Sequence, residues 1–241
     1  MNLMVYISPR RFAKALTVVV LCLTLASIAG MSYTYGVLKS GDHPVGVVRL
    51  FNVDSELNIP TWYQSSTLLF CAILLAMIAS AKKRAGARYA LHWRALAIIF
   101  LFLSLDEEAA IHEMTIMPLR SALNAGGLLY FTWVIPGAAF VLLIGAAYLG
   151  FLADLPAKTR RLFLVAGTTF VGGALGIEMV AGLFAQSYGG GDMRYIMIST
   201  VEELLEMVGI VVFIYALMSY MGTHFEGVQI RIGEEKPGSQ P

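Results

Sequence analysis

The segment ALAIIFLFLSLDEEAAIHE, residues 95–113, decides the class of this protein. It runs without a charge from Ala95 to Leu105 and then places three acidic residues in succession, followed by His112 and Glu113. An apolar run of about 20 residues is the length that crosses the roughly 30 Å hydrocarbon core of a bilayer as a helix. The segment therefore predicts a membrane-spanning helix that ends in ionisable side chains.

The composition of the whole chain indicates the same class. Hydrophobic residues make up 58% of the 241 residues and charged residues 14%, and the mean hydropathy is +0.72. A soluble domain of this size has too little interior to hide so many apolar side chains from water. The Lys and Arg residues are scattered among short loops and the net charge is only +1, which gives no indication of nucleic-acid binding. We predict an integral membrane protein whose surroundings are the lipid bilayer.

Six apolar segments are long enough to cross the membrane as helices. They predict an all-α, polytopic membrane helix bundle with one transmembrane domain over residues 1–225. The remainder, 226–241, is polar and rich in Pro and Gly, and it predicts a disordered cytoplasmic tail. The six predicted spans are 15–37, 63–81, 93–117, 128–152, 162–186 and 197–221.

The distribution of Lys and Arg orients these spans. Thirteen lie in the N-terminus, the second and fourth loops and the C-terminal tail, and four lie on the other side, at Lys39, Arg49, Arg120 and Arg194. Because cytoplasmic loops carry the excess of positive charge, both termini are predicted to be cytoplasmic. The expected location is a cell membrane, in bacteria the inner membrane. Residues 15–30 also fit a cleavable signal peptide, whose removal would leave five spans.

Eight acidic residues fall within three of the predicted spans or at their ends. Counting about 1.5 Å per residue from the predicted ends places them all in the outer half of the bilayer. A carboxylate in hydrocarbon costs at least roughly 2.5–3.5 kcal/mol, so such groups generally have partners and a function. One acid, Glu107, points away from the others on a continuous helix. The candidate site residues are Asp106, Glu108, His112, Glu113, Glu178, Glu202, Glu203 and Glu206.

Helical phase groups the candidates further. Glu202, Glu203 and Glu206 fall within an arc of roughly 100° at about 100° per residue, so the sixth span presents one polar face. On a continuous third helix, Glu108 and His112 form an i,i+4 pair. Residues from distant parts of the sequence are therefore predicted to meet in one layer near the outer surface.

Three functions are compatible with such a layer. The first is a cation site, most simply for a divalent metal, and mixed carboxylate and histidine ligands favour Fe, Mn or Zn over Mg or Ca. A metal-dependent enzyme acting on a lipid-like or small extracytoplasmic substrate would use it. The second is a proton- or cation-coupled transporter. The third is a structural or accessory subunit without chemistry. The residues leave the reaction, the substrate and the oligomeric state open.

The first outer loop carries two more acids, Asp54 and Glu56, before Pro60. Proline is common at the first position of a helix, and Trp62 fits an anchor at the membrane interface, so the loop is typical of a helix start. It also fits a lid that lies over the acidic pocket and contributes an acid or amide to it. Both interpretations remain open from the sequence.

Three strings in this chain resemble those of uncharacterised bacterial multi-spanning membrane proteins. They are FNVDSELNIPTWY at residues 51–63, LDEEAAIHE at 105–113, which is an LDExxxxHE-type motif, and VEELLEM at 201–207. The resemblance implies a multi-pass membrane protein and no particular activity.

Overall fold

Every regular element is helical in the computed structural model, which describes residues 7–40 and 46–225. The all-α class is confirmed for these residues, whereas the predicted tail, 226–241, lies outside them. The α-helices are α1 (Pro9–Ser40), α2 (Ile59–Arg84), α3 (Ala90–Ala109), α4 (Ile111–Leu123), α5 (Val134–Asp154), α6 (Ala157–Val171), α7 (Glu178–Tyr188) and α8 (Met193–His224). Two 3-10 helices, Gly46–Phe51 and Gly127–Leu129, precede α2 and α5, and a π-helical turn, Gly172–Ile177, joins α6 to α7.

Five helices in the described part of the chain are long and apolar enough to cross a membrane. They are Pro9–Gly36, Ile59–Arg84, Val134–Asp154, Ala157–Tyr188 and Met193–His224. Helix α3 has 20 residues and is not among these five, because Arg94 and three acids fall within so short a helix. The predicted third span, 93–117, is not one helix in the structure, because it is interrupted at Ala110.

Apolar side chains cover the outside of the bundle. On α5, Leu142, Leu143 and Leu149 are 73%, 68% and 68% exposed. A soluble monomer rarely carries a large continuous apolar surface of this kind. The exposed face of α5 is therefore suited to contact with lipid.

The core of the bundle is built mainly from α2, α3, α6 and α8. Helix α2 packs along α3, and α8 packs against α6 and α1. Fully buried side chains at the centre include Cys71, Leu75 and Ile78 of α2 and Ile214 and Leu217 of α8. Helix α5 packs against α6 and the π turn, and its end contacts α3 through Tyr148, whose hydroxyl donates to the carbonyl oxygen of His92 at 2.9 Å, and through Phe151, whose ring lies 5.0 Å from that of Trp93. The four core helices therefore form a frame, and α5 stands at its side.

Two glycines set the close approach of α8 to α6 and the π turn. A Cβ atom on Gly209 would lie 2.8 Å from the backbone nitrogen of Phe170, and one on Gly173 would lie 2.9 Å from the carbonyl oxygen of Glu202. Backbone atoms cannot rotate aside as side chains do. Small residues let membrane helices approach in this way, and here they bring the acidic face of α8 against the start of α7.

Two departures from regular helix lie next to the acidic residues. Ala110 has a left-handed φ of +49°, which is uncommon for a residue with a side chain. The break is held by Asp106, whose Oδ1 accepts a hydrogen bond of 2.8 Å from the backbone N–H of His112. The predicted i,i+4 pairing of Glu108 and His112 is therefore wrong, because the two residues belong to different helices. The π turn precedes Glu178, and such turns are frequent at functional sites.

Replacing Gly209 with valine is expected to destabilise the bundle by about 1–3 kcal/mol, the usual range for overpacking. The new side chain would collide with the backbone of α6. The midpoint of thermal unfolding in detergent measures the effect. Gly222→Ala is the matched control, since a Cβ there meets nothing within 4 Å, and equal midpoints for the two variants would contradict the close contact.

Candidate functional site

A cavity of about 580 Å³ lies between α3, α5, α6 and α8. Its inner part is lined by apolar side chains that include Ile99 of α3, Phe140 and Ile144 of α5, and Phe213 of α8. Protein interiors are close-packed and contain few voids larger than a water molecule. Pockets that bind small molecules usually measure about 300–1,000 Å³ and are mostly apolar. The size and the lining of this cavity are those of a binding pocket.

Ionisable and polar side chains gather at the other end of the same cavity. They are Asp54, Glu56, Asp106, Glu107, His112, Glu113, Glu178, Tyr195, Glu202, Glu203 and Glu206. Within the described ranges, no Lys or Arg lines the cavity. Apart from His112, the acidic end therefore has no basic side chain that balances its carboxyl groups.

Glu178 and Glu202 join α7 to α8 through their carboxyl groups, which are in hydrogen-bonding contact. Trp133 Nε1 donates a hydrogen bond of 2.8 Å to Glu178 Oε1. Glu202 is only 8% exposed. Two carboxyl groups and one indole therefore meet inside the bundle.

Small residues on α7 explain how Trp133 reaches this pair. Ala181 is fully buried, and a Cβ atom on Gly182 would lie 3.1 Å from Cδ2 of Phe131. The chain just before α5 can therefore lie directly on α7. Because this segment and α7 are in contact, the indole of Trp133 lies against Glu178.

Gln64 of α2 links two other acids. Its Nε2 donates to Glu206 Oε2 at 2.9 Å and to Glu107 Oε2 at 3.3 Å. The Gln64 side chain is 2% exposed, and its Oε1 has no hydrogen-bond partner among the described residues. A buried acceptor without a donor costs about 1–3 kcal/mol. Gln64 itself does not line the cavity, so it acts on the site by holding Glu206 and Glu107, which do.

Asp106 and His112 form a third pair across the break between α3 and α4. His112 Nδ1 lies 3.0 Å from Asp106 Oδ2, and the imidazole ring lies 4.8 Å from the ring of Trp133, centroid to centroid. The same aspartate thus holds the break and orients the histidine. Glu113 follows at the exposed rim of the cavity.

The structure brings together all the predicted site residues except Glu108. That residue is exposed and does not line the cavity, whereas Glu107, which the sequence analysis left out, lines it. Gln64 and Trp133 were not predicted either. An amide within an apolar span was a visible signal for Gln64, but Trp133 gave none, because tryptophan is also common at membrane interfaces.

A divalent metal is not supported by this arrangement. The described residues contain no group of three or more His, Cys, Asp and Glu side chains that could hold a metal ion. The carboxyl groups are instead engaged separately, with each other, with Gln64 and with His112. The predicted preference for Fe, Mn or Zn therefore finds no matching ligand geometry.

A family profile described as Domain of unknown function (DUF8692) matches residues 13–221. The chain belongs to this family. The matched range runs from α1 into α8, so the cavity and its acidic end lie within the DUF8692 domain. No curated protein and no solved structure matches the chain. The resemblance to bacterial multi-spanning proteins stays a prediction.

In this DUF8692 domain, the loop before α2 starts that helix and also lines the cavity. Asn58 caps α2 by accepting a hydrogen bond of 3.1 Å from the backbone N–H of Thr61. The loop is tied to α1 where the N–H of Val53 donates to Ser27 Oγ at 3.1 Å. Asp54 lies at the cavity and accepts a hydrogen bond of 3.0 Å from the hydroxyl of Tyr195. Both interpretations of this loop therefore apply.

The two acids of the loop have displaced pKa values. Burial raises the pKa of Asp54 to about 6, although the hydrogen bond from Tyr195 opposes this shift. Burial also raises the pKa of Glu56 to about 7, and the nearby charge of Glu113 adds to the effect. Both groups therefore bind protons more tightly in the folded protein than in the unfolded chain.

The loop is expected to become less stable as the pH rises. A carboxyl group whose pKa is raised on folding contributes most at acidic pH, where it is protonated, and this contribution is lost as the pH rises from about 4 to about 7. The Asp54→Asn/Glu56→Gln variant should show a flatter dependence of the unfolding midpoint on pH over this range. Asp192→Asn is the control, because its pKa is lowered by Arg194. A double variant with the wild-type slope would contradict the assignment.

Proposed function

We propose that this chain binds, within the membrane, an amphiphilic ligand whose cationic head lies among the outer carboxyl groups and whose apolar chain occupies the inner cavity. The observation that carries the proposal is the continuity of one cavity from an acidic end to an apolar end. Such a pocket complements a lipid-like molecule with an amine or ammonium group.

The chemistry of the acidic end supports an organic cation. Carboxyl groups dominate its charge, since His112 is the one basic side chain that lines the described cavity and no Lys or Arg does. Trp133 and Tyr195 add aromatic surface beside the carboxyl groups, and aromatic faces attract cations, quaternary ammonium groups in particular.

A six-span topology with both termini in the cytoplasm completes the proposal. Five helices qualify as spans, and α3, with 20 residues, would be the remaining crossing. Asp106 and Glu107 are then tolerated because they face the cavity and have partners there, while Glu108 lies in the last turn of α3, near the membrane surface. The acidic end would open toward the outside of a cell membrane.

Binding of dodecylamine by the purified protein in nanodiscs tests the proposal. We expect dodecylamine, which is protonated at neutral pH, to bind at least about tenfold more tightly than dodecanol or dodecanoate, because only the amine gains charge-assisted hydrogen bonds. Glu203→Gln and Glu206→Gln should reduce this preference. Glu108→Gln is the matched control, since Glu108 does not line the cavity. Equal binding of the amine and the alcohol would overturn the proposal.

Filling the inner cavity should weaken binding of the apolar chain separately. A Cβ on Gly145 of α5 meets nothing within 4 Å, and this residue lines the cavity. Gly145→Phe is therefore expected to reduce dodecylamine binding and leave the binding of a short amine such as ethylamine unchanged. Calorimetric titration of both amines distinguishes the two ends of the pocket. Unchanged dodecylamine binding would contradict the placement of the chain.

A metal-dependent membrane enzyme and a proton- or cation-coupled transporter remain as alternatives to be measured. Protein loaded with Mn²⁺, Fe²⁺ or Zn²⁺ and then freed of excess ion should retain less than stoichiometric metal. If the wild type retains stoichiometric metal and both His112→Ala and Glu206→Gln lose it, the acidic end is a metal site and not a site for an ammonium group. Proton flux into vesicles that disappears in Glu206→Gln would establish transport instead.

A further inference from the structure

A second, smaller cavity lies at the opposite end of the bundle. It measures about 190 Å³ and is formed by the end of α2, the loop before α3, the end of α5 and the end of α8. Its charged and aromatic lining consists of Lys82, Arg88, Tyr89, Trp93, Asp154, Tyr220 and His224. The large cavity is acidic at its outer end, whereas this one is predominantly basic.

The basic groups of this pocket lack carboxylate partners. In the described part of the chain, the ion pairs are those of His112 with Asp106 and of Arg194 with Asp192, so neither Lys82 nor Arg88 is neutralised. Asp154 is the one acid in the lining, and it stands against two permanent positive charges and His224.

Aromatic rings hold the cationic side chains at the pocket. Lys82 Nζ lies 5.4 Å from the ring centroid of Tyr220, and Arg88 Cζ lies 5.2 Å from that of Tyr89. His224 stacks on the same Tyr220 ring, and the two ring centroids are 4.2 Å apart. Cation–π contacts fix position but leave the hydrogen-bond donors of Lys and Arg available.

The chain turn between α2 and α3 explains why the two basic residues converge. Gly86 has a φ of +63°, and the N–H of Ala87 donates back to the carbonyl oxygen of Lys82 at 3.0 Å. The chain reverses within a few residues, so Arg88 is returned toward Lys82. A charge run that only marked the cytoplasmic side would not need this turn.

We propose that this pocket binds a phosphate group, as carried by an anionic phospholipid of the inner leaflet. Basic pockets between helices at the cytoplasmic side suit anionic head groups, and Lys and Arg donors match phosphate oxygens. By the distribution of positive charge, this end of the bundle faces the cytoplasm. This site is independent of the function proposed for the acidic cavity.

Retention of phosphatidylglycerol by protein from nanodiscs, measured by native mass spectrometry, tests the proposal. We expect one retained phosphatidylglycerol in the wild type and about 30-fold weaker binding in Lys82→Gln/Arg88→Gln, since each basic group near an anionic lipid contributes about 1 kcal/mol. Lys83→Gln/Arg84→Gln is the matched control: it removes the same charge from the same helix end, but neither residue lines the pocket. Equal losses in the two double variants would overturn the proposal in favour of general surface attraction.

Two further measurements guard against a folding defect and identify the source of the phosphate. Asp154→Asn removes the opposing charge and should strengthen phosphatidylglycerol binding several-fold; weaker binding would contradict the assignment. Inorganic phosphate added in neutral detergent should raise the unfolding midpoint of the wild type more than that of Lys82→Gln/Arg88→Gln. If it does so while no lipid is retained, the phosphate site stands and its lipid source is wrong. If neither ligand distinguishes the variants, the proposal fails.

Discussion

The demand of buried carboxyl groups for hydrogen-bond donors organises the acidic end of the cavity. Several of these acids have a partner from another element: Glu202 for Glu178, Gln64 for Glu206, and His112 for Asp106. A buried polar group without a partner costs more than the net gain of a made bond. The layer therefore ties α2, α3, α7 and α8 together in a fixed arrangement, and this arrangement shapes the mouth of the cavity.

Irregular backbone makes these partnerships possible. A straight helix over residues 93–117 would send Asp106 and His112 in different directions, since six residues at about 100° each place them about 120° apart around the axis. The left-handed Ala110 turns the chain back so that they meet. The π turn before Glu178 similarly changes the phase of α7 relative to α6. Both irregularities lie where function is proposed, which is where backbone strain is most often found.

The sequence predicted the helical class, the layer and most of its members, because hydropathy and spacing along a helix are local properties. Glu108 was predicted to belong to the site and Glu107 was not, whereas Glu107 lines the cavity and Glu108 does not. The prediction assumed one regular helix over the third span. Asp106 accepts the hydrogen bond that stabilises the break in this span. An acid at the end of an apolar helix gives no sign of that role in the sequence. The part played by Trp133 depends on the fit of Gly182 against Phe131, a tertiary contact that no single segment encodes.

The bond between Gln64 and Glu206 joins residues 142 positions apart, and this separation matters during synthesis. A chain made from its N-terminus contains α2 and α7 before α8 exists, so Gln64 lacks Glu206 and Glu178 lacks Glu202 until the last helix is made. The partners that they have earlier are Glu107 for Gln64 and Trp133 for Glu178. The acidic end of the cavity is therefore completed only when the last helix packs, and a chain that stops before α8 has the apolar helices without the finished site.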